Sequence, residues 1–174
     1  MLFLYIATIF LFYLFAVLQN SFFVHFSLFG AVLNIVFIFF FLLVFFQKKA
    51  SYYKIIFYSI FAGLFLDFFS YTYFGVSIIL LLFVGLIGKK IQTSLQEKNN
   101  DKFPTAYFVL LFLFSFTVYD FLLRIFLSSF NFLAVLQSVN IGFILEVVYN
   151  FFVAFVVFYI YKKFFVKKLK YEKI

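Results

Sequence analysis

Residues 52–91 read YYKIIFYSIFAGLFLDFFSYTYFGVSIILLLFVGLIGKKI, and this stretch decides the class of fold. It contains two apolar runs, Tyr52 to Phe69 and Phe74 to Ile91, separated by a few residues only. Each run is close to the about 20 residues that a helix needs to cross a hydrocarbon core of about 30 Å. The runs are continuous, whereas strands of a membrane β-barrel alternate polar and apolar residues. The stretch therefore predicts two antiparallel transmembrane helices joined by a tight hairpin.

Four further apolar stretches of similar length complete the chain. They are Leu2 to Gln19, Gly30 to Phe46, Pro104 to Leu127 and Val139 to Tyr161. The chain of 174 residues is 68% hydrophobic and only 11% charged, which excludes a soluble globular domain, a disordered chain and a nucleic-acid binder. We predict an all-α integral membrane protein, residues 1–174 forming one domain of six transmembrane helices. The polar run Thr93 to Phe103 is predicted to be a solvated connector.

The basic residues predict the orientation. If the N-terminus lies in the cytoplasm, the second and fourth connections and the C-terminal tail are cytoplasmic as well. Those regions hold every Lys of the chain, including Lys89, and only Arg124 lies on the other side. Because cytoplasmic segments of membrane proteins are enriched in Lys and Arg, both termini are predicted to be cytoplasmic.

The sequence offers no catalytic constellation. Cysteine is absent and His25 is the single histidine, which removes thiol nucleophiles, thiolate metal sites and histidine-based triads. We therefore expect neither an enzyme nor a bound cofactor or metal.

Ionisable residues inside the predicted spans are the candidate functional residues, since such groups are costly in lipid. They are Asp67, Asp120, Arg124 and Glu146. At about 1.5 Å per residue, the three acids lie about 22 to 24 Å from the cytoplasmic ends of their helices, in the outer half of the bilayer. The i,i+4 spacing of Asp120 and Arg124 predicts that they pair. That leaves two acids without a partnering cation in this chain.

Three interpretations of these polar residues remain open. The first is a structural network, in which the two remaining acids are protonated or bond to Asn150, Ser70 and backbone groups. The second is a docking site for another protein's helix, and the third is a proton or ion path. Gly63 and Gly75 are expected to allow close packing of the third and fourth helices.

The segment GLFLDFFSYTYFG, residues 63–75, resembles the hallmark of the rod shape-determining MreD family. Gly63, Asp67, Ser70 and Gly75 stand at the positions of that family's Gly, Asp, Ser and Gly. Weaker matches are a Gln closing the first span, an acid in the fifth, and an Asn followed by paired basic residues in the last. The matching residues here are Gln19, Asp120, Asn150, Lys162 and Lys163.

The resemblance implies a non-enzymatic component of the bacterial cytoplasmic (inner) membrane that takes part in cell shape and lateral peptidoglycan synthesis. Members associate with MreC, within a complex that includes RodA, its partner transpeptidase and MreB filaments. The six-helix fold would be similar to the substrate-binding component of energy-coupling-factor vitamin transporters.

Two functions are therefore expected as alternatives. The first is a scaffold of the elongation complex, in which Asp67 and its neighbours order the outer helix ends and form a surface for MreC. The second is a small-molecule (vitamin-type) binding subunit of an energy-coupling-factor transporter. Against the second, the first helix lacks an Ala-x-x-x-Ala pattern, and the chain has no Trp to line an outer pocket.

Overall fold

The computed structural model describes residues 2–27, 30–47, 52–69, 73–98 and 105–171 of the chain. These residues form seven α-helices and a 3-10 turn at Phe23–Phe26. The helices are α1 (Leu2–Ser21), α2 (Ile35–Phe46), α3 (Tyr52–Phe69), α4 (Val76–Lys98), α5 (Thr105–Leu127), α6 (Phe132–Ser138) and α7 (Ile141–Tyr171). The predicted all-α class is confirmed for this part of the chain.

Five of the described helices are long and apolar enough to cross a membrane: α1, α3, α4, α5 and α7. Their outward faces carry large apolar side chains, and Phe3, Leu110 and Phe152 are each more than half exposed. A surface that is apolar over several helices matches a lipid environment rather than water. The protein is therefore a multi-pass α-helical membrane protein.

Helix α2 differs from the predicted second span, Gly30 to Phe46. It begins only at Ile35 and has 12 residues, a length of about 18 Å. The difference arises because Asn34 caps the helix: its side chain accepts a hydrogen bond from the Phe37 amide. Gly30, with a φ of +84°, also lies in a conformation outside the right-handed helix. The helix is thus five residues shorter than the apolar stretch that predicted it.

The boundaries of α4 and α7 also differ from the predicted ones. Helix α4 continues to Lys98, so the first half of the predicted connector Thr93 to Phe103 is helical. Gln, Glu and Lys are good helix formers, and they extend a helix beyond its apolar part without cost. Helix α7 begins at Ile141 rather than Val139 and runs to Tyr171, well past the predicted end at Tyr161.

Helix α2 lies in the middle of the bundle, because it contacts α1, α3, α4, α5 and α7. Eight of its 12 residues are buried. Its Phe side chains meet those of antiparallel α5 edge to face in three successive pairs, with ring centroids 5.1 to 5.2 Å apart. The pairs are Phe37–Phe116, Phe41–Phe112 and Phe45–Phe108. Edge-to-face pairs contribute about 0.5–1.5 kcal/mol each beyond the area they bury.

Polar side chains gather at the two ends of α2. We call the end at which α2 begins the Asn34 end, and the end at which it stops the Lys89 end. The Asn34 end also holds the closing residues of α1, α3 and α5 and the first turns of α4 and α7. The short helix α6 lies here too, after a turn in which Ser129 and Phe130 have positive φ.

Candidate functional site

Asp67 joins the end of α3 to the start of α4. Its carboxylate accepts two backbone hydrogen bonds, from the Gly75 amide at 2.6 Å and from the Ser77 amide at 3.0 Å. The first amides of a helix have no partner within the helix, and a carboxylate there also meets the positive end of the helix dipole. Asp67 is only 4% exposed, so it ties the hairpin together from within.

The two glycines of the same segment each meet a geometric demand. A Cβ atom on Gly63 would stand 2.5 Å from the Cα and N atoms of Ile78, so α3 and α4 could not approach so closely with any other residue there. Gly75 has a φ of +95°, which L residues rarely adopt. The predicted packing role is therefore confirmed for Gly63, whereas Gly75 shapes the turn. Ser70 lies outside the described residues.

Arg124 holds α5, α6 and α7 together. Its Nε donates to Asp120 at 3.0 Å, one terminal nitrogen donates to Glu146 at 2.7 Å, and the other donates to the Ser138 carbonyl at 3.2 Å. The guanidinium carbon also stands 5.1 Å from the centre of the Phe143 ring, within the range of a cation–π contact. We call Asp120, Arg124, Ser138 and Glu146 the Arg124 clamp.

The contacts of the Arg124 clamp bear on two predictions about the acidic residues. The pair of Asp120 and Arg124 forms as the i,i+4 spacing predicts. The expectation that two acids lack a partnering cation in this chain is wrong for Glu146, because the same guanidinium reaches across to α7. Asp67 meets backbone amides instead, which was one of the alternatives left open.

Asn150 connects α7 to the segment before α2. Its side-chain oxygen accepts from the Asn34 amide at 2.7 Å, and its nitrogen donates to the carbonyls of Val32 at 3.0 Å and Glu146 at 2.9 Å. Gln19, near the end of α1, accepts from the Val36 amide at 3.3 Å. Together with the Asn34 cap, these bonds satisfy backbone groups that the short helix α2 leaves without partners at its start. Of Glu146, Asn150 bonds to the backbone carbonyl, and the Glu146 carboxylate pairs with Arg124 instead.

At the Lys89 end, two side chains of α4 satisfy the last carbonyls of α2. The Lys89 nitrogen donates to the carbonyls of Val44, at 3.3 Å, and Gln47, and to the Gln92 side chain at 3.0 Å. The Gln92 nitrogen donates to the Phe45 carbonyl at 2.7 Å. Basic groups are favourable at the negative end of a helix dipole. We call this pair the Lys89–Gln92 cap.

The sequence prediction missed this cap. Lys89 was counted among the cytoplasmic lysines of the fourth connection, but it is 1% exposed and lies within α4. A signal was present: Gly85, Lys89 and Gln92 share one helix face at i, i+4 and i+7, and Gly85 is buried against α2 and α3. A lysine on a face of small and polar residues points into the bundle rather than toward water.

The polar contacts described above hold helices together. Asp67, Arg124, Glu146 and Asn150 each bond to another helix or to the backbone at a helix end, and Asp120 pairs with Arg124 on its own helix. Within the described ranges there is no group of three or more metal-ligating side chains. The fold and these contacts define a multi-pass helical membrane protein whose intramembrane polar residues connect its helices. Comparisons with protein-family models, with curated proteins and with solved structures find no match to this chain.

Proposed function

We propose that the chain is a non-enzymatic scaffold of the bacterial elongation (rod) complex, resembling MreD. It would lie in the cytoplasmic membrane, bind MreC, and through it support lateral peptidoglycan synthesis together with RodA, its partner transpeptidase and MreB. The proposal begins from the sequence resemblance in residues 63–75 and adds a physical reason for that pattern.

The observation that carries the proposal is the contact of Asp67 with the Gly75 and Ser77 amides. Three residues that carry the resemblance, Gly63, Asp67 and Gly75, build one unit: a close crossing, a capped helix start and a left-handed turn. A pattern with such a joint geometric purpose is more specific than the same letters by chance. It supports a shared α3–α4 hairpin, and with it a shared function.

In this proposal the chain crosses the membrane six times, α2 included. The helix covers about 18 Å, and the five residues 30–34 before it can add roughly 15 Å if extended. Together they match a hydrocarbon core of about 30 Å. Asn150 would satisfy the Val32 carbonyl and the Asn34 amide of the non-helical part, as irregular backbone at membrane depth requires. Six crossings put both termini on one side of the membrane, and the distribution of the lysines assigns that side to the cytoplasm and the Asn34 end to the outside.

The Arg124 clamp is our proposed contact region for MreC. The side chains of Arg124 and Glu146 are 22% and 20% exposed, whereas Asp67 and Asn150 are buried. A partner can therefore reach the clamp without opening the bundle. The clamp also lies beside α6, at the end that faces the outer domain of MreC in this orientation.

The test is a pull-down of the tagged full chain from its native membranes in mild detergent, with partners identified by mass spectrometry. We expect MreC, with or without RodA. Recovery of ATPase subunits and a second transmembrane coupling protein would instead support the vitamin-binding alternative. A purified chain that brings down neither set would refute the scaffold proposal.

Two variants separate a partner contact from a structural role in the same pull-down. Glu146→Gln keeps the size and a hydrogen-bond acceptor at the clamp, and we expect it to reduce MreC recovery while the thermal stability changes little. Asp67→Asn is the matched buried control, and we expect stability and MreC recovery to fall together. Unchanged MreC recovery with Glu146→Gln would remove the clamp from the proposed interface.

A further inference from the structure

A cleft of about 380 Å³ lies between α3 and α7, toward the Lys89 end of the bundle. Its floor is α2, through Phe39, Leu42, Leu43 and Phe46, and its sides are formed by α3 and α7. The side chains that line it are mainly apolar or aromatic. The volume is within the range of small-molecule sites, about 300–1,000 Å³.

The rim of the cleft is polar and basic. It is lined by Gln47, Lys54, Tyr58 and Tyr161. Lys54 is in the first turn of α3, is exposed, and pairs with no carboxylate in the part of the chain that the structure describes. Lys162, on the neighbouring turn of α7, instead donates to Thr105 on α5. Lys54 is therefore the cation that lines this cleft among the described residues.

We propose that the cleft binds an anionic glycerophospholipid of the membrane leaflet at the Lys89 end. One acyl chain lies on the Phe and Leu side chains of α2, and the phosphate of the headgroup meets Lys54. Charge complementarity supports this occupant, since the basic residues of the sequence are concentrated on the connections at this end. The amphipathic tyrosines at the rim suit the boundary between headgroups and chains.

The lining of the cleft suits a lipid chain, because its floor on α2 consists of Phe and Leu side chains only. An acyl chain is narrow and flexible, so it can follow the cleft along α2 and leave its headgroup at the rim.

The test uses the absence of Trp from the chain. Tyr161→Trp places a single fluorophore at the cleft, and Tyr159→Trp places one two residues away on an exposed part of the same helix. The full-length variants are reconstituted into bilayers with rising fractions of brominated phosphatidylglycerol or brominated phosphatidylcholine, and quenching is measured. We expect the cleft Trp to prefer phosphatidylglycerol by about fivefold, the factor for one lysine near anionic lipid, and the exposed Trp to show little preference.

Charge variants assign the preference to Lys54. Lys54→Gln in the cleft-Trp background should abolish the fivefold preference, and Lys54→Arg should keep it. Lys90→Gln, which removes an exposed lysine from α4 instead, is the matched control and should leave the preference unchanged. Phe46→Trp serves as a second cleft probe if Tyr161→Trp impairs folding.

Three results would overturn the proposal. The cleft Trp could be quenched equally by both lipids, which would mean no headgroup recognition. It could resist quenching by either lipid, which would mean that no lipid chain enters the cleft. Finally, the exposed Trp could show the same preference as the cleft Trp, in which case the anionic lipid surrounds the whole protein rather than occupying this cleft.

Discussion

Lys89→Met tests the importance of the Lys89–Gln92 cap most directly. Methionine matches the lysine stem in size and removes only the nitrogen, with its three hydrogen bonds to Val44, Gln47 and Gln92. The variant would also remove this donor from the Val44 carbonyl of α2 and from the Gln47 carbonyl just after the helix. The expected result is a loss of stability centred on the end of α2.

The magnitude follows from the number of bonds. Polar side-chain bonds between transmembrane helices average about 0.6 kcal/mol, so the two Lys89 bonds that leave α4 contribute about 1 kcal/mol. Leaving a buried carbonyl unsatisfied costs about 1–3 kcal/mol, which raises the upper end to about 4 kcal/mol. Part of this loss is offset because methionine needs no hydrogen bonds. We expect a decrease of about 2–4 kcal/mol in the free energy of unfolding.

The assay is reversible unfolding of the purified full chain in mild detergent, titrated with sodium dodecyl sulfate and followed by circular dichroism. Lys90→Met is the control, because Lys90 is the next residue of the same helix and its side chain is exposed. Amide hydrogen exchange should show faster exchange at the end of α2 for Lys89→Met only. If both variants unfold within about 0.5 kcal/mol of each other, the cap contributes nothing measurable and our reasoning is refuted.

Three further predictions concern the Asn34 end. Gly63→Ala should lower the free energy of unfolding by about 2 kcal/mol or more, because the new methyl group meets the α4 backbone. Gly88→Ala should be tolerated, and equal melting temperatures of the two variants would contradict this prediction. Arg124→Gln should cost about 3 kcal/mol by leaving the clamp acids without their cation, and adding Glu146→Gln should recover about 1 kcal/mol in the same detergent titration. Asp67→Asn should cost about 1–2 kcal/mol and speed amide exchange in the first turn of α4; unchanged exchange there would argue against the cap.

Local spacing in the sequence was enough to predict several of these features. Long continuous apolar runs predict the five helices of span length, because a helix satisfies all its backbone hydrogen bonds internally in lipid. The spacing of Asp120 and Arg124 gave their ion pair, because residues four apart share a helix face. The bounds of α3 follow from equally local information.

Features that depend on contacts between distant residues could not be predicted in this way. Arg124 reaches Glu146 on another helix, and Lys89 reaches carbonyls more than 40 positions earlier in the chain. Mean hydropathy over residues 30–46 also hides the late start of α2, because one Asn in an apolar run scarcely lowers the average. Asn34 was the informative residue in that run, since Asn is a preferred helix cap.

The short central helix explains why this chain keeps so many polar side chains in lipid. A helix of 12 residues is too short to cross a hydrocarbon core of about 30 Å by itself, and unpaired amides and carbonyls at its ends would each cost several kcal/mol in lipid. Gln19, Asn34 and Asn150 satisfy one end, and Lys89 and Gln92 satisfy the other. These polar residues are therefore explained by the fold, because they satisfy the ends of α2, and their presence in lipid does not by itself indicate a function. The Arg124 clamp at one end and the Lys54 cleft at the other are accessible instead, and they are the regions that our proposals assign to a partner and to a lipid.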